Sequence, residues 1–348
     1  MATYLPLIAV GMFAYYWYDR RRADPSGGEL SARSTELGFL PLSQLNTQRA
    51  APPAPELMRA LLAVRSGDWG PAAVLLSTTG ENWELRTFYV FNLGVEAAGD
   101  DSWLLAWETA RPDDPDAAVV RARSTVLRAG EVPGAARGTH PAGDRSGPSH
   151  QLLSRSRTEI TYAAGLNPAD PTPYITELAT ARGLRYPHDE MQRLWAEVTA
   201  RAPHHYEAHF LAVQYWCAKG QGSDGLARDF AARAAADGPP GSLLSAFPLI
   251  AWYEAHSGGS PRASAFRGHE LIARVDAALV DAAAAPCDHP RLAELRHLLA
   301  YFLFKQGRYE AALEQFRLVD GYVDALPWRY HDKGFYVAAR EATVRRTG

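Results

Sequence analysis

Apolar residues recur along this chain every three or four positions, the period of an α-helix laid against a core. Met191, Leu194, Trp195, Val198 and Ala202 form one such stripe, and Tyr206, Phe210, Val213 and Cys217 form another. Leu271, Val275, Leu279 and Ala282 repeat it, as do Tyr309, Ala312, Leu313 and Phe316. Alternating runs of β-branched residues, the mark of a half-buried strand, are almost absent. Helical stretches stop at clusters such as Gly238-Pro239-Pro240-Gly241 and Ser257-Gly258-Gly259. The pattern predicts an all-α protein of roughly a dozen helices, each about 10–18 residues long.

Composition narrows the possible functions. With 348 residues, 47% of them hydrophobic, the chain can bury a sizeable core and is not disordered in bulk. A net charge of −3 argues against a protein devoted to gripping nucleic acid, which needs a basic excess. Two cysteines exclude a disulfide scaffold. Lysine is rare: only Lys219, Lys305 and Lys333 occur among 36 basic residues.

Residues 1–18 carry no charged side chain and end on Tyr15-Tyr16-Trp17-Tyr18. Asp19-Arg20-Arg21-Arg22 follows at once. Aromatic rings prefer the headgroup layer and arginines the cytoplasmic side, so this order predicts one membrane-spanning helix over 1–22. Its N-terminus would lie outside and the bulk of the chain in the cytoplasm. A cleaved signal peptide needs its positive charge before the apolar run, whereas here it comes after. Residues 23–55, rich in Ser, Gly, Pro and Ala, are expected to be a flexible tether. Pro133, Gly134, Gly138, Pro141, Gly143, Gly147 and Pro148 mark a second low-complexity stretch, 131–150. It divides the remainder into helical segments 56–130 and 151–348.

One spacing recurs. In Gly307-Arg308-Tyr309-Glu310-Ala311-Ala312-Leu313-Glu314-Gln315-Phe316, a turn glycine precedes an aromatic, a small residue and a large ring. A turn without a Cβ, and a small residue where two helices cross, are what a tight helix pair requires. Gly67, Trp69, Ala72 and Leu76 stand at the same relative positions. Trp195, Val198 and Pro203, followed by Tyr206, His209, Ala212, Val213 and Trp216, fit the junction between two such units. These fragments resemble tetratricopeptide repeats, and residues 201–225 resemble part of an actinobacterial family with tetratricopeptide-like helices. The resemblance implies a helix-pair array, an α-solenoid, whose usual activity is protein–protein contact.

Candidate chemistry is sparse. Gly220-Gln221-Gly222-Ser223-Asp224-Gly225 matches a dinucleotide-binding fingerprint but follows a helix instead of a strand. It reads as a helix C-cap at Gly220 and an N-cap at Ser223 or Asp224, and no cofactor is expected. His205 and His209 share a helix face as metal ligands do, yet Glu207 is misplaced for a zinc-protease motif and no third ligand is evident. His204, His205 and His209 therefore read as solvated or capping residues. Cys287-Asp288-His289 could expose a thiol beside an imidazole, but no oxyanion donor can be placed near it. The leading expectation is a non-catalytic, membrane-tethered module that binds a protein or peptide. The alternative is an enzyme using the His204–His209 cluster or Cys287 and His289. For the interaction reading, Glu207, Leu211 and Gln214 form a mixed stripe suited to a peptide groove, beside a core stripe of Phe210, Val213 and Cys217.

Overall fold

The computed structural model describes residues 30–132, 147–257, 259, 261–331 and 333–347. Sixteen α-helices run through them in the order α1 (Ala32–Glu36), α2 (Pro55–Arg65), α3 (Gly70–Ser77), α4 (Trp83–Gly99), α5 (Ser102–Ala110), α6 (Pro115–Glu131), α7 (Pro148–Leu166) and α8 (Thr172–Leu184). After these come α9 (His188–Arg201), α10 (Tyr206–Trp216), α11 (Asp224–Asp237), α12 (Phe247–His256), α13 (His269–Ala284), α14 (Leu292–Gln306), α15 (Tyr309–Val319) and α16 (Lys333–Arg346). Among the described residues there is no strand, only an isolated bridge between Asn46 and Tyr322. The all-α expectation holds. The membrane span expected over 1–22 lies outside the described residues, and no described helix is long and apolar enough to cross a membrane.

The chain forms two compact units, with the division falling inside α11. The first comprises Pro53–Ala227. Leu57, Leu61, Leu76, Val90, Trp103, Trp107 and Val120 build its principal core. Helix starts follow local chemistry: Pro115 occupies the first turn of α6, where no N–H is needed, and the Asp114 carboxylate accepts from the N–H groups of Asp116 and Ala117. The unit also buries charge. Arg86 donates to Asp170 at 2.7 Å and to Asp116 at 2.6 Å, with Arg86 and Asp170 both buried.

The division expected at 131–150 is corrected. Helices α6 and α7, on either side of it, pack against each other within the first unit. Val126 and Ala129 meet Leu153, and the Ser149 hydroxyl donates to the Ala129 carbonyl at 2.9 Å. Glycine and proline mark a connection there but not a domain boundary.

The second unit comprises Arg228–Gly348 together with the described residues up to Pro52. The expected tether is therefore also corrected, because residues 30–52 are built into this unit. Phe39 and Leu45 are buried, and Asn46 N–H donates to the Gly321 carbonyl at 2.8 Å while Val323 N–H donates to the Asn46 carbonyl at 2.9 Å. Arg340, with no exposed surface, donates to Asp320 at 2.5 Å and to the Leu40 carbonyl at 2.8 Å, and its guanidinium lies over the Phe39 ring.

His297 of α14 is wholly buried, and its Nε2 donates to the Ala50 carbonyl at 3.1 Å. Burial is the chief reason its pKa falls to about 4, with Arg329 adding to the depression. The neutral ring is thus the folded form. Its stabilising contribution is complete above the unfolded value near 6.5 and is lost as pH falls from there toward 4, about 3 kcal/mol in all. His297→Gln retains a donor for Ala50 but cannot titrate. In urea unfolding, the wild type is expected to lose stability between pH 7 and 4.5 by about 2–3 kcal/mol more than this variant. Equal losses would show that His297 does not drive the acid sensitivity.

Two helix pairs share one turn geometry. Between α2 and α3, Gly67 lies at φ 87°, its N–H donates to Val64 O at 3.0 Å, and Asp68 N–H reaches back to Ala63 O at 3.0 Å. Between α14 and α15, Gly307 lies at φ 80°, its N–H donates to Phe304 O at 3.0 Å, and Arg308 N–H reaches back to Leu303 O at 3.0 Å. Only glycine takes that left-handed conformation without steric cost. Ala72 and Ala312 have no exposed surface, and Leu76 and Phe316 behind them are buried as well. The middle fragment differs: α9 and α10 join near Pro203, but α10 packs chiefly on α8 and also against α4.

Candidate functional site

The stripe expected to form a groove on α10 is closed. Glu207 and Gln214 are buried and Leu211 is half-buried, because this helix is covered on the faces turned to α8 and α4. The Glu207 carboxylate accepts from Arg123 Nη2 of α6, itself buried with its guanidinium over the Phe91 ring. The neighbouring stripe behaves as expected at Val213 and Cys217, both buried, whereas Phe210 is half-buried. Glu207, Leu211 and Gln214 thus belong to the packing of the first unit, and the groove assigned to them is withdrawn.

The histidines of the same region take structural posts. His205 is the N-cap of α10: its Nδ1 accepts from Ala208 N–H at 3.4 Å and its Nε2 donates to the Trp83 carbonyl at 3.1 Å. His209 Nδ1 donates to the His205 carbonyl at 2.9 Å, and its ring meets Trp195 edge-on at 5.0 Å. His204 is exposed. Among the described residues no three His, Cys, Asp or Glu side chains are grouped to hold a metal ion. In the second unit Cys287 is exposed, and His289 Nδ1 accepts from Arg291 N–H at 3.2 Å, which occupies that lone pair.

Residues 217–223 connect α10 to α11, with Asp224 and Gly225 already in the first turn of α11, and the Ser223 hydroxyl accepts from Leu226 N–H at 3.2 Å as an N-cap. Gly220 does not take the left-handed cap conformation expected of it. It is glycine because a Cβ would lie 2.4 Å from the carbonyl oxygens of Gln214 and Tyr215.

A chemically distinct centre lies in the second unit around Lys305, in the last turn of α14. The same helix places Tyr301 one turn earlier, buried, and Phe304 beside it. A 3-10 helix, Ala263–Arg267, supplies buried Phe266, and the first turn of α16 supplies Phe335. The Lys305 ammonium lies 5.4 Å from the Phe335 ring centroid, 5.5 Å from Tyr301, 5.7 Å from Phe266 and 5.9 Å from Phe304. The enclosure continues through Trp252, 4.9 Å from Phe266, on which exposed His256 stacks at 4.1 Å. No acidic side chain pairs with Lys305 among the described residues, and the Tyr301 hydroxyl makes no hydrogen bond among them. Burial pushes the lysine amine below its ordinary value and the Tyr301 phenol above its own. Sequence reasoning missed this centre, although the rarity of lysine and its place directly after Tyr301, Phe302, Leu303 and Phe304 were visible.

Comparison with family models, curated proteins and solved structures finds no match.

Proposed function

We propose that this protein is a membrane-tethered, non-catalytic helical scaffold of the tetratricopeptide-like kind, an α-solenoid that holds a protein or peptide partner. The observation that supports this reading is the repetition of one hairpin. Gly67 and Gly307 turn two helix pairs in the same way, and Ala72 and Ala312 occupy the same fully buried crossing. Stacked helix pairs of this type leave extended surfaces that suit partner binding. The partner surface is sought away from α10, whose mixed stripe is buried. The tether part of the proposal rests on the uncharged run 1–18, its aromatic end and Arg20-Arg21-Arg22.

Deletion of residues 1–22 is expected to move the protein from the membrane to the soluble fraction, with its melting temperature unchanged. Cell fractionation followed by a thermal melt checks both points. A membrane pool of unchanged size would overturn the tether. Affinity capture with the full chain in detergent, followed by mass spectrometry, tests the scaffold. Recovery of no partner near stoichiometric amount would count against it.

A further inference from the structure

The described chain begins at Leu30, eight residues after Arg22. Even fully extended, eight residues span no more than about 28 Å. A leaflet at Arg20-Arg21-Arg22 therefore lies within that distance of the entry to α1. The surface beside this entry is basic and aromatic. Arg33 of α1 is exposed and donates through Nη2 to the Thr347 carbonyl at 3.1 Å, next to exposed Arg346 at the end of α16. The Arg346 guanidinium lies 5.5 Å from the centroid of the Tyr309 ring, and Tyr309 meets Phe304 at 6.4 Å. Lys305 follows, its ammonium 5.9 Å from Phe304 and 5.4 Å from Phe335. Rings at these distances favour the charged ammonium. Phe304, Lys305, Tyr309 and Phe335 are each half-buried, so this connected strip offers rings and cations together. Exposed cations on α1, α15 and α16 outnumber the exposed carboxylates there, which are Glu36, Glu310 and Glu314.

We propose that this strip rests on the anionic headgroups of the leaflet that holds the tether, so that the second unit lies against the membrane instead of hanging from it. Tyrosine and phenylalanine rings gain from the headgroup layer, and the long stems of arginine and lysine lie along apolar surface while their charges reach the lipid phosphates. A cation is drawn to an anionic leaflet only within a Debye length, about 8 Å at physiological salt. Close apposition is therefore required, and the short connection from Arg22 to Leu30 keeps the strip near the surface. The proposal rests on the tether of residues 1–22. A few cations and rings bind a membrane only reversibly, so a chain without those residues still leaves it.

The test places the full chain in vesicles of phosphatidylcholine, alone or mixed with phosphatidylserine, and oxidises it briefly with hydroxyl radicals before mass spectrometry. Tyr309 and Phe335 are expected to be oxidised severalfold more slowly in the anionic vesicles. Tyr322, beyond the other end of α15 from Tyr309, is expected to react at the same rate in both. About 1 M salt, which shortens the Debye length to about 3 Å, is expected to abolish the difference. Arg33→Gln with Arg346→Gln is expected to lower the protection severalfold and, because both side chains are exposed, to melt like the wild type in detergent. Equal oxidation of Tyr309 and Phe335 in the two lipid mixtures overturns the proposal, whether high in both or low in both because a second copy of the chain covers the strip. Full protection in the double variant overturns it as well. Flotation of the vesicles at high salt reads the tether separately. A chain left behind overturns tether and strip together, whereas a chain that floats with its rings equally oxidised in both mixtures overturns the strip alone.

Discussion

Replacing residues 30–52 with a Gly/Ser linker of equal length is expected to unfold the second unit, although composition marks this segment as a tether. The replacement removes the buried Phe39 and Leu45 side chains, each worth about 1.5–3 kcal/mol of burial. The Asp320 carboxylate loses the Leu40 N–H, Glu341 loses the Ser31 N–H, and the Gly321 and Val323 backbone lose Asn46. A peptide linker of other sequence could restore a carbonyl opposite His297 or Arg340 only if it followed the same path without Phe39 and Leu45 to hold it there. Each buried donor left alone costs about 1–3 kcal/mol, and more when it is charged, as Arg340 is. Together these losses approach the roughly 5–15 kcal/mol that holds a typical domain together. Hydrogen exchange checks the outcome. Amides of α14 and α16 are expected to lose protection in the replaced protein, and retained protection there would mean that the segment is dispensable.

Glu207→Ala is expected to destabilise the first unit by about 3–5 kcal/mol, the usual result of stripping one partner from a buried ion pair. The loss is large because Arg123 stays behind. Its guanidinium is buried between the Phe91 ring and the vacated position, and its Nε already lacks a hydrogen-bond partner. Replacing both partners together, as Arg123→Met with Glu207→Leu, removes the desolvated charge and is expected to recover most of the lost stability. Urea unfolding of the single and double variants measures the coupling directly. A Glu207→Ala cost below about 1 kcal/mol would place the carboxylate in water, as exposed pairs show, and would reopen the α10 stripe as a binding surface.

The helical class and the two glycine-turned hairpins were legible in the sequence because their causes are local. A 3.6-residue period, a Cβ-free turn and a small residue five positions after it all act within one helix pair. The errors arose where the deciding partner is remote. Residues 30–52 contain no helical period to betray them, and the groups that hold them lie 247 to 310 positions further along the chain. The stripe of Glu207, Leu211 and Gln214 has the polarity of a solvent-facing surface. Its glutamate is buried because Arg123 stands opposite, 84 positions earlier. The Lys305 enclosure was half visible: Tyr301 and Phe304 are its sequence neighbours, while Phe266 and Phe335 reach it from other elements.

The sequence by itself determined the helical class, the stops at its glycine and proline clusters, and which alanines and glycines permit two helices to approach. Backbone sterics and hydrophobic periodicity operate over one or two turns and need no distant partner. Only the tertiary structure decided which face of α10 is covered, that α6 and α7 pack across a breaker-rich connection, and that an apparent tether completes a core. It also decided which lysine is drawn out of water. Burial depends on what a fold brings opposite a side chain, and the free energy of a charge changes by kilocalories with that environment.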